Sequence, residues 1–166
     1  MRDQIIVLNS KDRKLLRQQL VEQFGIAELP LDKVFFCFNK KERVYLANKE
    51  LFSVSHKDLR VNMFGLYFGT FMVDGFRLSI EGAQLLGQQA IKNVLSLSKD
   101  QRDAWLKGED VKVCEGEVSG YVLVKFQNDF FGVGRKKGER VLNYLPKSRK
   151  LTKIFDGDTD SDSCQA

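Results

Sequence analysis

The sequence predicts an α+β protein. It divides into an N-terminal α/β domain over residues 1–74, a strand-rich C-terminal domain over residues 75–153 and a disordered acidic tail over 154–166. Three observations carry this. Short runs rich in Val, Phe and Tyr alternate with helices that have recognisable caps. The last third reads as a meander of three short strands joined by tight turns. The tail Asp156-Gly-Asp-Thr-Asp-Ser-Asp-Ser has no apolar period and cannot bury enough surface to fold.

Taken in order, Ser10 is placed to cap a helix running to about Phe24, with Leu15, Leu16, Leu20 and Val21 as its apolar stripe and Gly25 as its stop. Lys33 to Asn39 and Arg43 to Ala47 predict a hairpin closed by Asn39-Lys-Lys-Glu. Asn48 then caps a short helix through about Ser55, and Leu59 to Val73 is a strand region interrupted by Gly65 and Gly69. Glycines inside a strand mark a bulge or a sharp bend more often than a site. Phe76 to Ile80 follows as a strand, Glu81 to Gly87 as a short helix, and Ile91 to Leu97 as an extended segment. Ser98-Lys-Asp-Gln101 is a capping box, opening a helix that runs to Lys107 and stops at Gly108. The closing strands are expected at about 120–127, 130–135 and 140–145, with turns at Gln127-Asn-Asp and Lys137-Gly-Glu.

Composition narrows the function. At 166 residues with 43% apolar and 30% charged side chains, the chain is an ordinary globular protein. No apolar stretch is long enough to cross a bilayer. Cys37, Cys114 and Cys164 have no metal-type spacing and are odd in number. With no signal peptide, they read as reduced thiols in a cytoplasmic protein. The net charge of +5 is uneven: +3 over residues 1–74, +6 over 75–153 and −4 from Ile154 onward.

The charge is densest from Val133 to Lys153, where eight bases face one acid, Glu139. Such a block, not interleaved with acids as a salt-bridged surface would be, fits a polyanion and most simply structured RNA. The candidate RNA-binding residues are Arg135, Lys136, Lys137, Arg140, Lys147, Arg149 and Lys150. Arg135 and Arg149 suit planar, bidentate phosphate contacts. Lys107 and Gly108 join them, because a glycine after a helix allows close approach of a nucleic-acid backbone. Asn143 is a candidate for a base contact. Strand alternation lets only Asn143 or Tyr144 face outward, and Tyr144 is read as core.

Four motifs resemble one family. They are Trp105-Leu-Lys-Gly108-Glu109, Gly120-Tyr-Val-Leu-Val124, Phe131-Gly132-Val-Gly134-Arg135 and Leu142-Asn143-Tyr144-Leu-Pro146-Lys147-Ser-Arg149. In order and spacing, over roughly Leu97 to Leu151, they resemble the PUA-like extension of the Sun-type rRNA cytosine-5 methyltransferases. The resemblance implies a C-terminal PUA-like pseudo-barrel that binds structured rRNA or tRNA. Nothing in the chain looks like the catalytic domain of those enzymes: there is no glycine loop for a methyl donor and no Pro-Cys motif. The arrangement is also similar to small two-domain ribosome-biogenesis factors, which join an N-terminal α/β domain to a C-terminal PUA domain. That likeness rests on Arg43-Val-Tyr45, the Gly65 and Gly69 pair and Phe76-Arg77-Leu78 before Leu85, and no site is carried over through it.

Other signals do not add up to chemistry. Gly132-Val-Gly134 is followed by a strand, and Gly138 comes one residue late for a dinucleotide fingerprint. Asp156, Asp158 and Asp160 imitate the start of a calcium loop, but Ser161 stands where glycine is required. His56, the only histidine, has no Ser or Cys at triad spacing. The expectation is therefore no catalytic residue, no metal and no cofactor. The function expected is RNA binding in rRNA or tRNA maturation, with a protein partner for the Phe-rich N-terminal domain. A small RNA-modifying enzyme, or a protein-interaction module with a basic face, is the alternative.

Overall fold

The computed structural model describes residues 5–30, 32–38, 42–53, 65–114 and 118–154. His56, Cys164, the hairpin residues 39–41 and the acidic tail lie outside the described residues.

Strand β1 (Ile5–Val7) leads into helix α1 (Ser10–Phe24). The cap is Asn9 rather than Ser10. Asn9 is extended and its side chain accepts from the Asp12 amide at 2.9 Å, which leaves Ser10 as the first helical residue. Gly25 ends the helix at φ 72°, where its amide reaches the Val21 carbonyl and that of Ile26 reaches Leu20. The buried stripe is Leu16, Leu20 and Phe24, one side chain every four residues, whereas Leu15 and Val21 stay exposed.

Strands β2 (Lys33–Phe38) and β3 (Arg43–Asn48) form the expected hairpin. A 3₁₀ turn over Lys49–Ser53 follows, then β4 (Leu66–Met72) and β5 (Gly75–Leu78). These strands make one sheet in sequence order, β1-β2-β3-β4-β5, antiparallel throughout. The N-terminal unit thus mixes helix and strand but, among the described residues, has no parallel βαβ crossover. Its β4–β5 link is a two-residue turn, and a parallel pair needs about a dozen residues or more between strands. The expected division between residues 74 and 75 falls inside this turn, so the first sheet continues to Leu78.

Gly65, just before β4, and Gly69 within it do different things. Gly65 has φ +73°. Gly69 lies where β3 and β4 slip register, and a Cβ there would stand 2.5 Å from both the Arg77 carbonyl oxygen and the Phe76 ring.

Helix α2 (Ile80–Leu86), capped by Ser79, and a 3₁₀ turn over Gly87–Gln89 lead to β6 (Val94–Ser96). Helix α3 (Lys99–Lys107) has the expected reciprocal Ser98–Gln101 capping box and stops at Gly108, φ 94°. Then come β7 (Val111–Lys112), β8 (Tyr121–Phe126), β9 (Asp129–Lys137), β10 (Arg140–Asn143) and a 3₁₀ turn over Lys147–Arg149. The second sheet has the order β6-β8-β9-β10-β7, with β6 parallel to β8 and the other pairs antiparallel, and it curls into a half-barrel. Two residues with glycine at φ 58°, Gly138 and Glu139, close the β9–β10 hairpin.

Strand β8 is buried on both faces. Tyr121 and Leu123 join a core with Leu16, Leu20, Phe24, Phe68, Phe76 and Leu86, so the two sheets share one apolar interior. Val122 and Val124 face the other way, onto Trp105 of α3 and Val141 of β10. Double burial explains why Gly-Tyr-Val-Leu-Val is continuously apolar rather than alternating. Asn93 clasps the two units: its amide donates to Gln23 O at 2.8 Å and accepts from Ser119 N at 3.0 Å.

Candidate nucleic-acid interface

Hairpin β9–β10 and the short β7 beside it decide where the basic side chains point. Residues directly opposite on antiparallel strands share a face. Arg140 is opposite Lys137 on one side and opposite Lys112 on the other. Lys112, Arg140 and Lys137 therefore form a row of three exposed cations across three strands. Among the described residues, none of the three has an acidic partner. Arg135, two residues before Lys137, shares their face and is tethered. Its guanidinium pairs with Asp74 of the β4–β5 turn and lies 5.5 Å from the centre of the Tyr121 ring.

The other candidates separate into groups. Lys136 is on the opposite face and donates to Cys114 O at 2.9 Å. Lys107, Gly108 and Lys150 meet at the C-terminal end of α3, where Leu151 N donates to Leu106 O at 2.9 Å. The space beside Gly108 is filled by the Lys150 side chain: a Cβ would lie 2.4 Å from its Nζ. Gly108 takes the left-handed backbone at the helix stop, with the flexible end of the Lys150 side chain lying beside it. Lysines at this helix end also sit favourably against the dipole. Lys147 is exposed, and Arg149 donates to Glu81 Oε1 at 2.8 Å, tying the last 3₁₀ turn to α2.

Asn143 and Tyr144 exchange the roles expected from alternation. The Asn143 amide donates to Trp105 O at 2.7 Å and Glu109 O at 3.1 Å, and its oxygen accepts from Leu145 N at 2.8 Å. Its polar atoms are engaged in holding the end of α3 to the segment after β10. Tyr144 is the exposed one, 37% accessible, and the Arg77 guanidinium lies 5.2 Å from its ring centre. Both line a cleft of about 650 Å³ between the two sheets, with Glu81 and Arg149 also on its walls.

Lys112 was missed because β7 is only two residues long and offers no alternation to read. Arg77 was legible: Phe76 and Leu78 are both buried, which turns the residue between them the other way.

One titrating group belongs to this region. Burial pushes the Tyr121 hydroxyl above its ordinary value, and the Asp74 carboxylate adds to this by charge and by accepting its hydrogen bond at 3.2 Å. Arg135 and Arg77 oppose the shift. No cluster of three or more His, Cys, Asp or Glu side chains suited to a metal occurs among the described residues. No helix among them is long and apolar enough to cross a membrane.

Residues 92–151, from just before β6 to just past the last 3₁₀ turn, match the family model described as the methyltransferase RsmF PUA domain. The C-terminal unit is a PUA-like domain. Three curated relatives of the chain are each a ribosomal RNA small subunit methyltransferase F. That of Aeromonas hydrophila is 27% identical over 140 residues, covering 84% of this chain and 28% of the relative. That of Vibrio cholerae is 28% identical over 137 residues, 82% of this chain and 28% of the relative. That of Vibrio parahaemolyticus is 30% identical over 95 residues, 54% of this chain and 20% of the relative. The chain spans little more than a quarter of the length of the first two. An alignment that takes in 84% of the chain must also reach back from the PUA-like domain into the first sheet.

Proposed function

We propose that this chain is a non-catalytic RNA-binding protein acting in rRNA or tRNA maturation or in ribosome biogenesis, and that it works in the cytoplasm. The observation that carries the reading is the row Lys112–Arg140–Lys137. Like charges placed directly opposite one another destabilise a sheet. Three cations kept side by side with no acidic partner among the described residues suit an anionic ligand such as a phosphate backbone. Arg135 extends this face, and Lys107, Lys147, Arg149 and Lys150 would serve as further phosphate contacts. Lys136, on the reverse face, contributes to the general field.

A finer version is an adaptor that supplies RNA affinity to a methyltransferase catalytic domain in trans. The PUA-like match and the rRNA methyltransferase relatives support it. The first sheet would carry the contact with the protein partner.

The inter-sheet cleft favours a second reading, a small RNA-modifying enzyme. Among the described residues its one carboxylate, Glu81, is engaged by Arg149, and no nucleophile beside a base lines it. The non-catalytic reading is therefore preferred.

The test is equilibrium binding of a structured rRNA fragment as salt is raised, beside an acidic protein as competitor. Tight binding that weakens steeply with salt, and that the acidic protein does not displace, supports RNA as the ligand. Weak binding that ignores salt, or ready displacement by the acidic protein, would favour the protein-interaction alternative.

A further inference from the structure

We infer that the cleft between the two sheets is a subsite for one unpaired nucleotide of the bound RNA, a proposal that rests on the RNA-binding reading above. The cleft is a joint product of the two units. The first sheet supplies Arg77, the second supplies Tyr144 from the segment after β10, and Arg149 stands at the wall with Glu81. At about 650 Å³ it lies within the range of roughly 300–1,000 Å³ typical of small-ligand sites and is far too small for a duplex.

Its chemistry fits a nucleotide in two respects. Tyr144 and Arg77 present two flat π surfaces, with the guanidinium 5.2 Å from the ring centre, and unpaired bases stack on both kinds of plane. Among the described residues, neither the Arg77 guanidinium nor the Tyr144 hydroxyl has a hydrogen bond or an ion pair. The Arg77 donors and the Tyr144 hydroxyl thus line the cleft with no hydrogen bond among the described residues, the guanidinium lying over the ring. At its wall, the Arg149 side chain is 62% exposed while pairing with Glu81. With Arg149 exposed and Glu81 partly buried at 27%, the pair contributes modest stability, and a phosphate can compete with the carboxylate for the arginine.

The cleft therefore adds a preference that the cationic row lacks. The row holds phosphates of paired or unpaired RNA alike, whereas the cleft admits a base only where the RNA leaves one free.

The test compares two RNA hairpins with identical stems, one blunt and one ending in a single unpaired nucleotide. In a second preparation that nucleotide is 2-aminopurine, whose fluorescence falls on stacking. The readout is the ratio of the two affinities. Wild-type protein should prefer the extended hairpin about tenfold and quench the 2-aminopurine. Tyr144→Leu and Arg77→Gln should each bring the ratio close to one and abolish quenching, while Tyr144→Phe, which keeps the ring, retains both. Equal wild-type affinity for the two hairpins overturns the subsite and leaves RNA binding standing. So does a preference that survives in Tyr144→Leu and Arg77→Gln. Failure of both hairpins to bind at 50 mM salt overturns the subsite together with the RNA reading.

Discussion

Neutralising the row Lys112–Arg140–Lys137, by changing all three residues to Gln, should weaken RNA binding and stabilise the fold at once. The stability gain follows from geometry. Two like-charge pairs face each other directly, Lys112 with Arg140 and Arg140 with Lys137. Removing both repulsions in an exposed, screened setting should stabilise by about 0.5 kcal/mol, or about 1–2 °C in Tm for a chain of this size. The binding loss follows from counterion release. Three lost phosphate contacts lower the slope of log affinity against log salt by about 2–3. Between 50 and 200 mM salt the wild type should then lose about 20–40-fold more affinity than the variant. Anisotropy with a labelled rRNA hairpin at four salt concentrations, together with a thermal melt of each protein, measures both quantities. An unchanged salt slope would refute the assignment of the row to phosphates. A lower Tm in the variant would show that the three cations have partners that hold the fold together.

Other outcomes are tied to single residues. Asn143→Ala removes three hydrogen bonds, taking its acceptor from Leu145 N and its donor from Glu109 O and Trp105 O, of which Trp105 O keeps Gly108 N; it should cost about 2–3 kcal/mol in urea unfolding. Gly134→Ala would place a Cβ 2.3 Å from Val141 and 2.8 Å from Trp105, both in the core of the second sheet, and should destabilise by about 1–3 kcal/mol or more. Tyr121, whose folded pKa is raised above 10, contributes stability that is present below pH 10 and lost as pH rises through the folded value. Stability measured above pH 10 should therefore fall less steeply in Tyr121→Phe than in wild type.

Much of the framework was legible in the chain because it depends on local chemistry. The Ser98–Gln101 box, the left-handed stops at Gly25 and Gly108 and the hairpins around Gln127 and Gly138 are all set by neighbouring residues. What was misread depends on contacts distant in sequence. Strand alternation predicts Tyr144 as core and Asn143 as outward, the reverse of their placement. Chain position alone could not show that three backbone groups from residues 105, 109 and 145 would claim the Asn143 side chain. The N-terminal α/β expectation missed that its strands follow one another antiparallel. In the basic block, the count of bases was visible, but their division between two faces and the end of α3 was not. That division needs the register of β7, β9 and β10. Lys112 enters only through that register.

The most direct test of the central claim is to map where RNA touches the protein. An rRNA fragment is crosslinked by ultraviolet light and the modified peptides are identified by mass spectrometry. Crosslinks should fall in residues 107–112 and 135–150 and spare α1 and strands β1 to β3. Crosslinks concentrated on α1 or on the first three strands, with residues 135–150 unmodified, would contradict the account.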